Sequence, residues 1–432
     1  MQRNINIADA KENMRGKADG DLVRKQNRHI VLEALRLHGP MPRVELGKIT
    51  GLSPASITTI ANQLIEDKAL LELDESPDRS DPSRRGRPTV RLDLNPDAAR
   101  IVAIKISIDG IELALVNFAG KIISRKNISI ATYEMHSEIF SKNIAQIVSV
   151  FIAENNIHTK DVAHIGIAAQ GVTDSQKGTI AWSPAFKAHN IPVVRPIGNA
   201  TGIACSIAND ANMIAEGVMA ADRYSYTGTA AVVFMGYGVG MGLVIDGKVY
   251  HGASGAAAEF GHMNHIPDGA LCRCGRSGCL EAYASDYGIL RSAENLPDQT
   301  SPPSQAVDPA VMSALEKAAR RGDPHAVGAY QKAGRAIGFG LARLIALLNP
   351  DRIVLAGPGT RALDLIEPAL RAAIEEGVVE ELRRQVKIES VPIDTDMIIT
   401  GTIDATLRHL DLNIFANGPL KPAIAQEEIA VP

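Results

Sequence analysis

Three of the chain's four cysteines fall within eight residues, and one histidine stands ten positions before the first of them. These candidate metal ligands are His262, Cys272, Cys274 and Cys279. Three thiolates and one imidazole form the donor set of a closed tetrahedral zinc site. Cysteines clustered in this way, in a chain with no secretion signal, favour a metal site over a disulfide. The pattern predicts structural Zn2+, and an accidental cluster or a redox pair is the alternative.

Length and composition indicate a soluble protein of several domains. The chain has 432 residues, which suggests two or three domains, and its hydrophobic content of 45% is ordinary for a globular protein. It contains no apolar run of the length, about 18 residues, that a membrane helix requires. The N-terminal residues lack the apolar run of a signal peptide. We therefore expect a cytoplasmic protein with no membrane contact.

Positive charge is concentrated near the N-terminus, although the whole chain carries a net charge of −4. Residues 1–92 contain 16 Lys and Arg against 13 Asp and Glu, and the remainder contains 29 against 36. A basic head on an acidic body is typical of a DNA-binding segment joined to a ligand-sensing body.

Three helices are predicted near the N-terminus, over 22–37, over 43–50 and after Ser53. Ser53 is a favourable N-cap, and Pro54 suits the first helical position. The apolar stripe of the third helix consists of Ile57, Ile60, Ala61, Leu64 and Ile65. The polar residues of this helix and its cap that are suited to DNA contacts are Ser53, Ser56, Thr58, Thr59 and Asn62. Helix, short turn and helix predict a helix-turn-helix.

Two short strands, predicted over 70–73 and 89–92, follow the third helix. The loop between them carries a basic tip, which offers three guanidinium groups to DNA phosphates or to a groove. The three arginines are Arg84, Arg85 and Arg87. Strands and tip together predict the wing of a winged helix-turn-helix. The alternative is a small helical packing domain with a solvated charged loop.

Apolar strands and amphipathic helices alternate in the rest of the chain. Strands are predicted over 101–107, 111–117, 121–124, 164–169, 230–235, 240–245, 248–251 and 352–356. Helices are predicted over 138–155, 326–348 and 401–410. The segments form two strand-rich halves, each with helices, which indicates an α/β body.

Four short motifs in this body resemble those of the ROK family, which groups sugar-responsive repressors with sugar kinases. They are Asn209-Asp210-Ala211-Asn212, the glycines 236, 238, 240 and 242, Glu259-Phe260-Gly261-His262 and Cys279-Leu280-Glu281-Ala282. The resemblance covers roughly residues 97–410 and implies a two-lobed actin-like fold, which is a duplicated RNase H-like unit. The N-terminal head points to the repressor branch, which includes xylose and N-acetylglucosamine repressors.

The resemblance also implies how the chain divides into domains. The expected division is a flexible arm at 1–20, a winged helix-turn-helix at 21–95, a first lobe at 96–207 plus 396–415, a second lobe with the zinc site at 208–395, and a loose tail at 416–432. The last helix would thus return to the first lobe.

A monosaccharide or sugar derivative is expected in the cleft between the lobes. The family motifs place Asn209, Asp210, Glu259, His262 and Glu281 at its hydroxyl groups. Carboxylates accept hydroxyl hydrogen bonds, and a neutral histidine can bind metal through one nitrogen and a hydroxyl through the other. Zinc would then support the sugar site structurally. Without the resemblance, Asp210 could be a helix cap, and the two glutamates could be solvated.

Phosphoryl transfer is not expected, because one of the two phosphate-binding turns of the family's kinases is degraded. In place of Asp-x-Gly-Gly-Thr the chain has Lys105, Ser107, Ile108 and Asp109 at the decisive positions. The second turn, 236–240, keeps its glycines but has Tyr237 where kinases usually carry threonine. Asp210, the catalytic base in the kinases, would be vestigial.

These observations predict a sugar-responsive regulator, most simply a repressor, that binds an inverted-repeat operator as a homodimer or tetramer. Two alternatives remain. One is a ROK sugar kinase with an added DNA-binding head. The other is a repressor controlled by the docking of a sugar-transport protein.

Overall fold

The N-terminal head consists of three helices and a small antiparallel sheet in the order β1-β3-β2. The computed structural model describes residues 7–73, 90–108, 110–221, 223–383, 386–391 and 396–420. The elements of the head are α1 (Ile7–His38), β1 (Met41–Pro42), α2 (Arg43–Thr50), α3 (Pro54–Glu66), β2 (Leu70–Leu73) and β3 (Arg91–Leu94). This arrangement confirms the predicted winged helix-turn-helix.

The sequence around α3 explains its position. The Ser53 hydroxyl accepts a hydrogen bond from the Ser56 N–H at 3.1 Å, which satisfies one of the unpaired donors of the first turn. Gly51 ends α2 with a φ of 70°, a left-handed conformation that glycine adopts without strain. The buried side chains of α3 are Ile57, Ile60, Ala61 and Leu64. They belong to the predicted stripe, and their burial turns the polar face of α3 outward.

Two predictions for the head need correction or lie outside the described residues. The structure shows a helix from Ile7, in the part of the chain where the sequence predicted a flexible arm over 1–20. This segment contains alanine, lysine, glutamate and methionine, which favour helix, and each of its two glycines, Gly16 and Gly20, costs only about 1 kcal/mol there. The wing strand is Arg91–Leu94 rather than 89–92. The basic tip with Arg84, Arg85 and Arg87 lies outside the described residues.

The first lobe is built on a five-stranded sheet in the order β11-β7-β4-β5-β6. Its elements are β4 (Arg100–Ser107), β5 (Gly110–Asn117), β6 (Ile122–Ile128), α4 (Ser137–Glu154), β7 (Val162–Ala169), β8 (Val172–Asp174), β9 (Thr179–Trp182), β10 (Ile191–Pro192), α5 (Val194–Thr201) and β11 (Cys205–Asn209). Strands β4 to β6 form an antiparallel meander, and β7 and β11 add in parallel beside β4. Strands β8 to β10 form a separate small sheet that the sequence did not predict.

The second lobe repeats this topology in the sheet order β14-β13-β12-β15-β16. Its elements are α6 (Asp210–Ala221), β12 (Thr229–Met235), β13 (Val239–Ile245), β14 (Lys248–Val249), α7 (Glu281–Ala284), α8 (Asp286–Ala293), α9 (Pro309–Arg320), α10 (Pro324–Leu348), β15 (Arg352–Ala356), α11 (Leu363–Gly377), α12 (Glu380–Arg383) and β16 (Lys387–Ser390). Again an antiparallel meander is followed by two parallel strands on the other side of its first strand. This repetition confirms the duplicated actin-like fold.

Two helices join the lobes, α6 and the last helix, α13 (Met397–Leu410). They pack closely because glycine stands at their contact: a Cβ on Gly401 would lie 1.7 Å from the Met213 carbonyl oxygen, and one on Gly217 would lie 2.7 Å from the Met397 carbonyl oxygen. Helix α13 begins at Met397, before the predicted start at 401. The additional helical residues include Ile398 and Ile399, which are buried. A change in the angle between the lobes would therefore act on this contact.

The head shares a hydrophobic core with the first lobe and the C-terminal segment. Val31 and Leu35 of α1 belong to the same buried cluster as Leu407, Leu410 and Phe415. The described chain ends shortly afterwards, so most of the predicted tail at 416–432 lies outside the described residues. Since the core is continuous, the head is held against the first lobe.

No membrane span was expected from the sequence. Among the helices in the described part of the chain, none combines the length and the apolar character that crossing a membrane requires.

Candidate functional site

A cleft lies where the ends of β7, β11 and the β12–β13 hairpin meet the turn at Phe260–His262. Its empty volume, including the solvent at its mouth, is about 520 Å³. The five residues predicted to bind sugar all line this cleft: Asn209, Asp210, Glu259, His262 and Glu281. The fold therefore brings together residues that are up to 72 positions apart in the sequence.

Asn209 ends β11 and caps α6. Its Oδ1 accepts hydrogen bonds from the N–H groups of Ala211 at 2.7 Å and Asn212 at 3.3 Å, and its Nδ2 donates to the Gly171 carbonyl at 2.5 Å. The sequence suggested Asp210 as a possible cap, but Asn209 has the main part of this role. Its amide is largely occupied by the protein, which holds the start of α6 in the cleft.

Asp210, at the start of α6, is half-buried in the wall of the cleft. Burial raises its pKa to about 7, and the nearby charge of Glu259 acts in the same direction. Hydrogen bonds from the Tyr237 hydroxyl and the Ala211 N–H oppose this shift. Burial also raises the pKa of Glu259. The cleft therefore contains carboxyl groups that exchange protons closer to neutral pH than exposed ones do.

Tyr237 takes part in the cleft in a way that the sequence did not reveal. Its hydroxyl donates to Asp210 Oδ2 at 3.2 Å, and its ring packs against Phe234 with centroids 4.9 Å apart. Its carbonyl oxygen accepts a hydrogen bond from Arg273 Nη1 at 3.0 Å. Sequence analysis noted only that Tyr237 replaces a threonine. In the structure an aromatic ring stands between the second glycine turn and the carboxyl group.

Gln170 occupies the first phosphate-binding turn. Its Oε1 accepts a hydrogen bond from the Ile108 N–H at 2.9 Å, and its side chain is buried in the cleft wall. In a phosphate-binding turn, such an N–H group would face the ligand. The sequence did not reveal this contact, because the two residues are 62 positions apart. Asp109, which belongs to the same degraded turn, lies outside the described residues.

The predicted metal ligands meet beside the cleft. Cys272 Sγ lies 3.7 Å from His262 Nδ1, Cys274 Sγ lies 3.6 Å from Cys279 Sγ, and the four ligand atoms lie within 4.8 Å of one another. A tetrahedron with metal–sulfur bonds of about 2.3 Å has edges of about 3.8 Å. Hydrogen bonds from the other two thiols lower the pKa of Cys274, so the cluster favours a thiolate. Donor types and separations fit one tetrahedral ion.

Glu281 connects the cysteine cluster with the cleft. Its Oε1 accepts hydrogen bonds from the Tyr287 hydroxyl at 3.2 Å and the Cys272 thiol at 3.6 Å, and its Oε2 accepts one from the Val239 N–H at 3.2 Å. Glu281 is buried, so it is not the solvated residue that the sequence left as an alternative. Across the cleft, His262 Nε2 lies 4.0 Å from a carboxylate oxygen of Glu259.

The outward face of α3 presents most of the predicted DNA-contacting residues. Exposed on it are Ser53, Thr58, Thr59 and Asn62, whereas Ser56 is half-buried, with its hydroxyl 2.9 Å from that of Ser53. Arg43, at the start of α2, donates to Asn62 Oδ1 at 3.3 Å and to Glu72 at 2.8 Å. The sequence analysis missed Arg43. Because α3 itself contains no lysine or arginine, this guanidinium is a nearby positive charge for a phosphate.

The ROK family model matches residues 101–398, which is more than half of the chain. The chain belongs to the ROK family. The DNA-binding transcriptional repressor Mlc of Escherichia coli (strain K12) is 26% identical to this ROK protein over 384 residues, 88% of this chain and 93% of Mlc. The xylose repressor of Bacillus subtilis (strain 168) is 25% identical over 366 residues, 84% of this chain and 90% of that protein. Both matches are longer than the stretch 101–398 that the family model covers.

Solved structures agree with the fold. A ROK family transcriptional regulator described as a homologue of the E. coli Mlc protein has a TM-score of 0.73 and 24% identity, covering 91% of this chain and 99% of that chain. A ROK family glucokinase from Streptomyces griseus, in complex with glucose and AMPPNP, has a TM-score of 0.56 and covers 71% of this ROK protein. Repressor and kinase thus share the two-lobed body, and the chain also has the head.

Proposed function

We propose that this ROK protein is a DNA-binding transcriptional repressor whose cleft binds a monosaccharide or sugar derivative and transfers no phosphate. The observation that carries the proposal is the combination of a winged helix-turn-helix, sharing one core with the first lobe, and a cleft lined by three carboxyl side chains. Relatives named as repressors, similar over more than four-fifths of the chain, support the regulatory function.

The absence of phosphoryl transfer is supported by two contacts in the cleft. The Ile108 N–H is already bound by Gln170, and Tyr237 holds Asp210 from the side of the second glycine turn. A carboxylate near a sugar hydroxyl contributes little to transfer without a positioned phosphate donor. Asp210 then serves as a hydrogen-bond acceptor for the effector.

Zn2+ is the metal that we propose for His262, Cys272, Cys274 and Cys279, since three thiolates with one imidazole are typical of structural zinc. Four protein ligands leave no open position, so the ion would not take part in chemistry. It would hold His262 with Nε2 toward the cleft and keep the Glu281 loop in place, because Cys279 lies two residues before Glu281 in the chain.

Signal transfer from cleft to head follows from the packing. Effector hydroxyl groups at Asp210 would act on the first turn of α6, which packs on α13 through Gly217 and Gly401. At its C-terminal end, α13 continues into Asp411, whose carboxylate binds Arg36 of α1. Sugar binding that favours one lobe arrangement would therefore shift the position of the head.

We propose that two heads bind an inverted repeat, as expected for a homodimer or a dimer of dimers. The exposed face of α3, with Asn62 and the neighbouring threonines, would contact base edges, and Arg43 and the wing arginines would contact phosphates. Changing the distance between two heads changes DNA affinity strongly, because the half-site spacing is set by the DNA helix.

Two measurements on the purified protein test this proposal. Footprinting on the DNA that flanks its own coding region should protect an inverted repeat. An assay of ATP consumption with a panel of monosaccharides should show no turnover. Sustained sugar-dependent ATP turnover would instead make the protein a kinase with a DNA-binding head. A protected operator that no sugar releases would favour control by a docked protein.

A further inference from the structure

We infer that the effector of this cleft is an uncharged, unphosphorylated sugar, and that the cleft selects against sugar phosphates and sugar acids. The inference rests on the proposed sugar-sensing function and specifies its ligand class. Three independent features of the cleft support it: the sign of its side-chain charges, the occupancy of its backbone N–H groups, and the position of Tyr237.

Apart from His262 and the phenol of Tyr237, the ionisable side chains that line the described cleft are carboxyl groups. They are Asp210, Glu259 and Glu281, and neither lysine nor arginine occurs among the described residues of the lining. Arg273 lies behind Tyr237, but it donates to the carbonyl oxygens of Tyr237, Pro303 and Gln305. A phosphate in the cleft would therefore meet negative charge without a cationic partner.

Four backbone N–H groups at the cleft already have partners within the protein. The start of α6 would normally attract an anion, but its first N–H groups, those of Ala211 and Asn212, are bound by Asn209 Oδ1. The Ile108 N–H is bound by Gln170, and the Val239 N–H is bound by Glu281. Each of these four donors is satisfied within the protein, so none is left to hold a phosphate oxygen.

Tyr237 leaves no room for a large substituent on the sugar hydroxyl that would face Asp210. Its O–H reaches Asp210 Oδ2 at 3.2 Å, and its ring is held against Phe234. A phosphoryl group on the sugar hydroxyl beside Asp210 would have to displace this ring. A free hydroxyl fits, because each carboxylate oxygen can accept a second hydrogen bond.

Trp182, the chain's only tryptophan, reports on this cleft. It ends β9, lines the cleft, and lies with its ring 5.4 Å from the His262 ring in an edge-on arrangement. Its indole offers an apolar surface to the C–H face of a sugar ring. Its fluorescence therefore measures binding at this site without an added label.

The test is a titration of the full chain, with Trp182 fluorescence and thermal shift as parallel readouts. The probes are neutral aldopentoses, aldohexoses and N-acetylhexosamines, each compared with its own phosphate ester. We expect saturable binding of at least one neutral sugar and affinity for its phosphate weaker by about 100-fold or more. Because the selection against phosphate is electrostatic in part, higher ionic strength should reduce the difference in affinity between the neutral sugar and its phosphate ester.

Glu259→Gln removes one carboxyl group from the cleft and should reduce the ratio of the affinity for the neutral sugar to that for its phosphate ester about tenfold. The matched control is Glu294→Gln, at an exposed position at the C-terminal end of α8, which should leave this ratio unchanged. A phosphate ester that binds as tightly as its parent sugar would overturn the inference and leave the sugar sensor intact. If no sugar changes either Trp182 fluorescence or the thermal shift while operator binding is retained, both the proposed sugar sensor and the inference are refuted.

Discussion

Arg36 of α1 and Asp411 at the end of α13 form the contact that we expect to hold the head on the first lobe. Arg36 Nε and Nη2 each lie 3.0 Å from a different Asp411 oxygen, and Nη1 donates to the Phe118 carbonyl at 2.8 Å. The guanidinium also lies 5.0 Å from the centre of the Phe118 ring. The Asp411 side chain is only 2% exposed.

Arg36→Ala would leave the buried Asp411 carboxylate without a cationic partner. Removing one member of a buried ion pair costs about 3–5 kcal/mol, which is a large part of the 5–15 kcal/mol that stabilises a typical domain. The cost falls on the interface between head and first lobe, since the head keeps its own buried residues, such as Leu46 and Leu64. We therefore expect the head to unfold separately from the lobes in this variant.

Urea unfolding followed by two signals can detect this separation. Far-ultraviolet circular dichroism reports on all helices, and Trp182 fluorescence reports on the cleft alone. With slopes of about 1–3 kcal/mol per molar urea, a loss of about 3 kcal/mol moves the head's midpoint down by about 1–3 M. Circular dichroism should then begin to change well before the fluorescence does.

Arg24→Ala is the matched control, because Arg24 lies on the same helix and is exposed. Arg36→Ala combined with Asp411→Ala should cost less than the sum of the two single changes, since the unpaired charge is gone. The reasoning would be refuted if Arg36→Ala matched Arg24→Ala within about 0.5 kcal/mol and both signals stayed coincident.

Three other substitutions examine the metal centre, the cleft and the DNA-contacting face. Cys274→Ser should reduce bound zinc from about one ion per chain to a small fraction and weaken sugar binding, whereas Cys205→Ser should retain the metal, both measured by elemental analysis and fluorescence titration. Since burial raises the pKa of Asp210 to about 7, sugar affinity should rise from about pH 6 to about pH 8 as the carboxylate forms, and Asp210→Asn should flatten this profile. Asn62→Ala should lose about 1–3 kcal/mol of discrimination between operator and altered operator in band-shift titrations, with little change on unrelated DNA.

Local patterns in the sequence were sufficient to predict the head and the cluster of candidate metal ligands. The apolar stripe of α3 and its Ser53 cap are properties of one helix, and both appear in the structure. The ligands Cys272, Cys274 and Cys279 lie in one loop, so their spacing alone brings them together. The strand at Arg352–Ala356 was also predicted with the bounds that the structure shows, because a short buried run followed by glycine has a clear signal.

Contacts between residues far apart in the chain could not be predicted from the sequence alone. The hydrogen bond of Gln170 to Ile108 joins residues 62 positions apart, and that of Tyr237 to Asp210 joins residues 27 apart. In the sequence, each of these side chains was only a departure from a family motif. The structure shows which residue each of them contacts. Likewise, the helix from Ile7 has no strong periodic stripe in the sequence, so a flexible arm was the simpler prediction.

The affinity of the protein for its operator, measured as a function of sugar concentration, tests the central claim most directly. A fluorescently labelled operator fragment and the purified full chain are sufficient, with ATP absent. The account predicts that one neutral sugar releases the DNA in a saturable manner, at the same concentrations that change Trp182 fluorescence. An operator affinity that stays constant while the sugar saturates the cleft would contradict it, because cleft and head would then not be coupled.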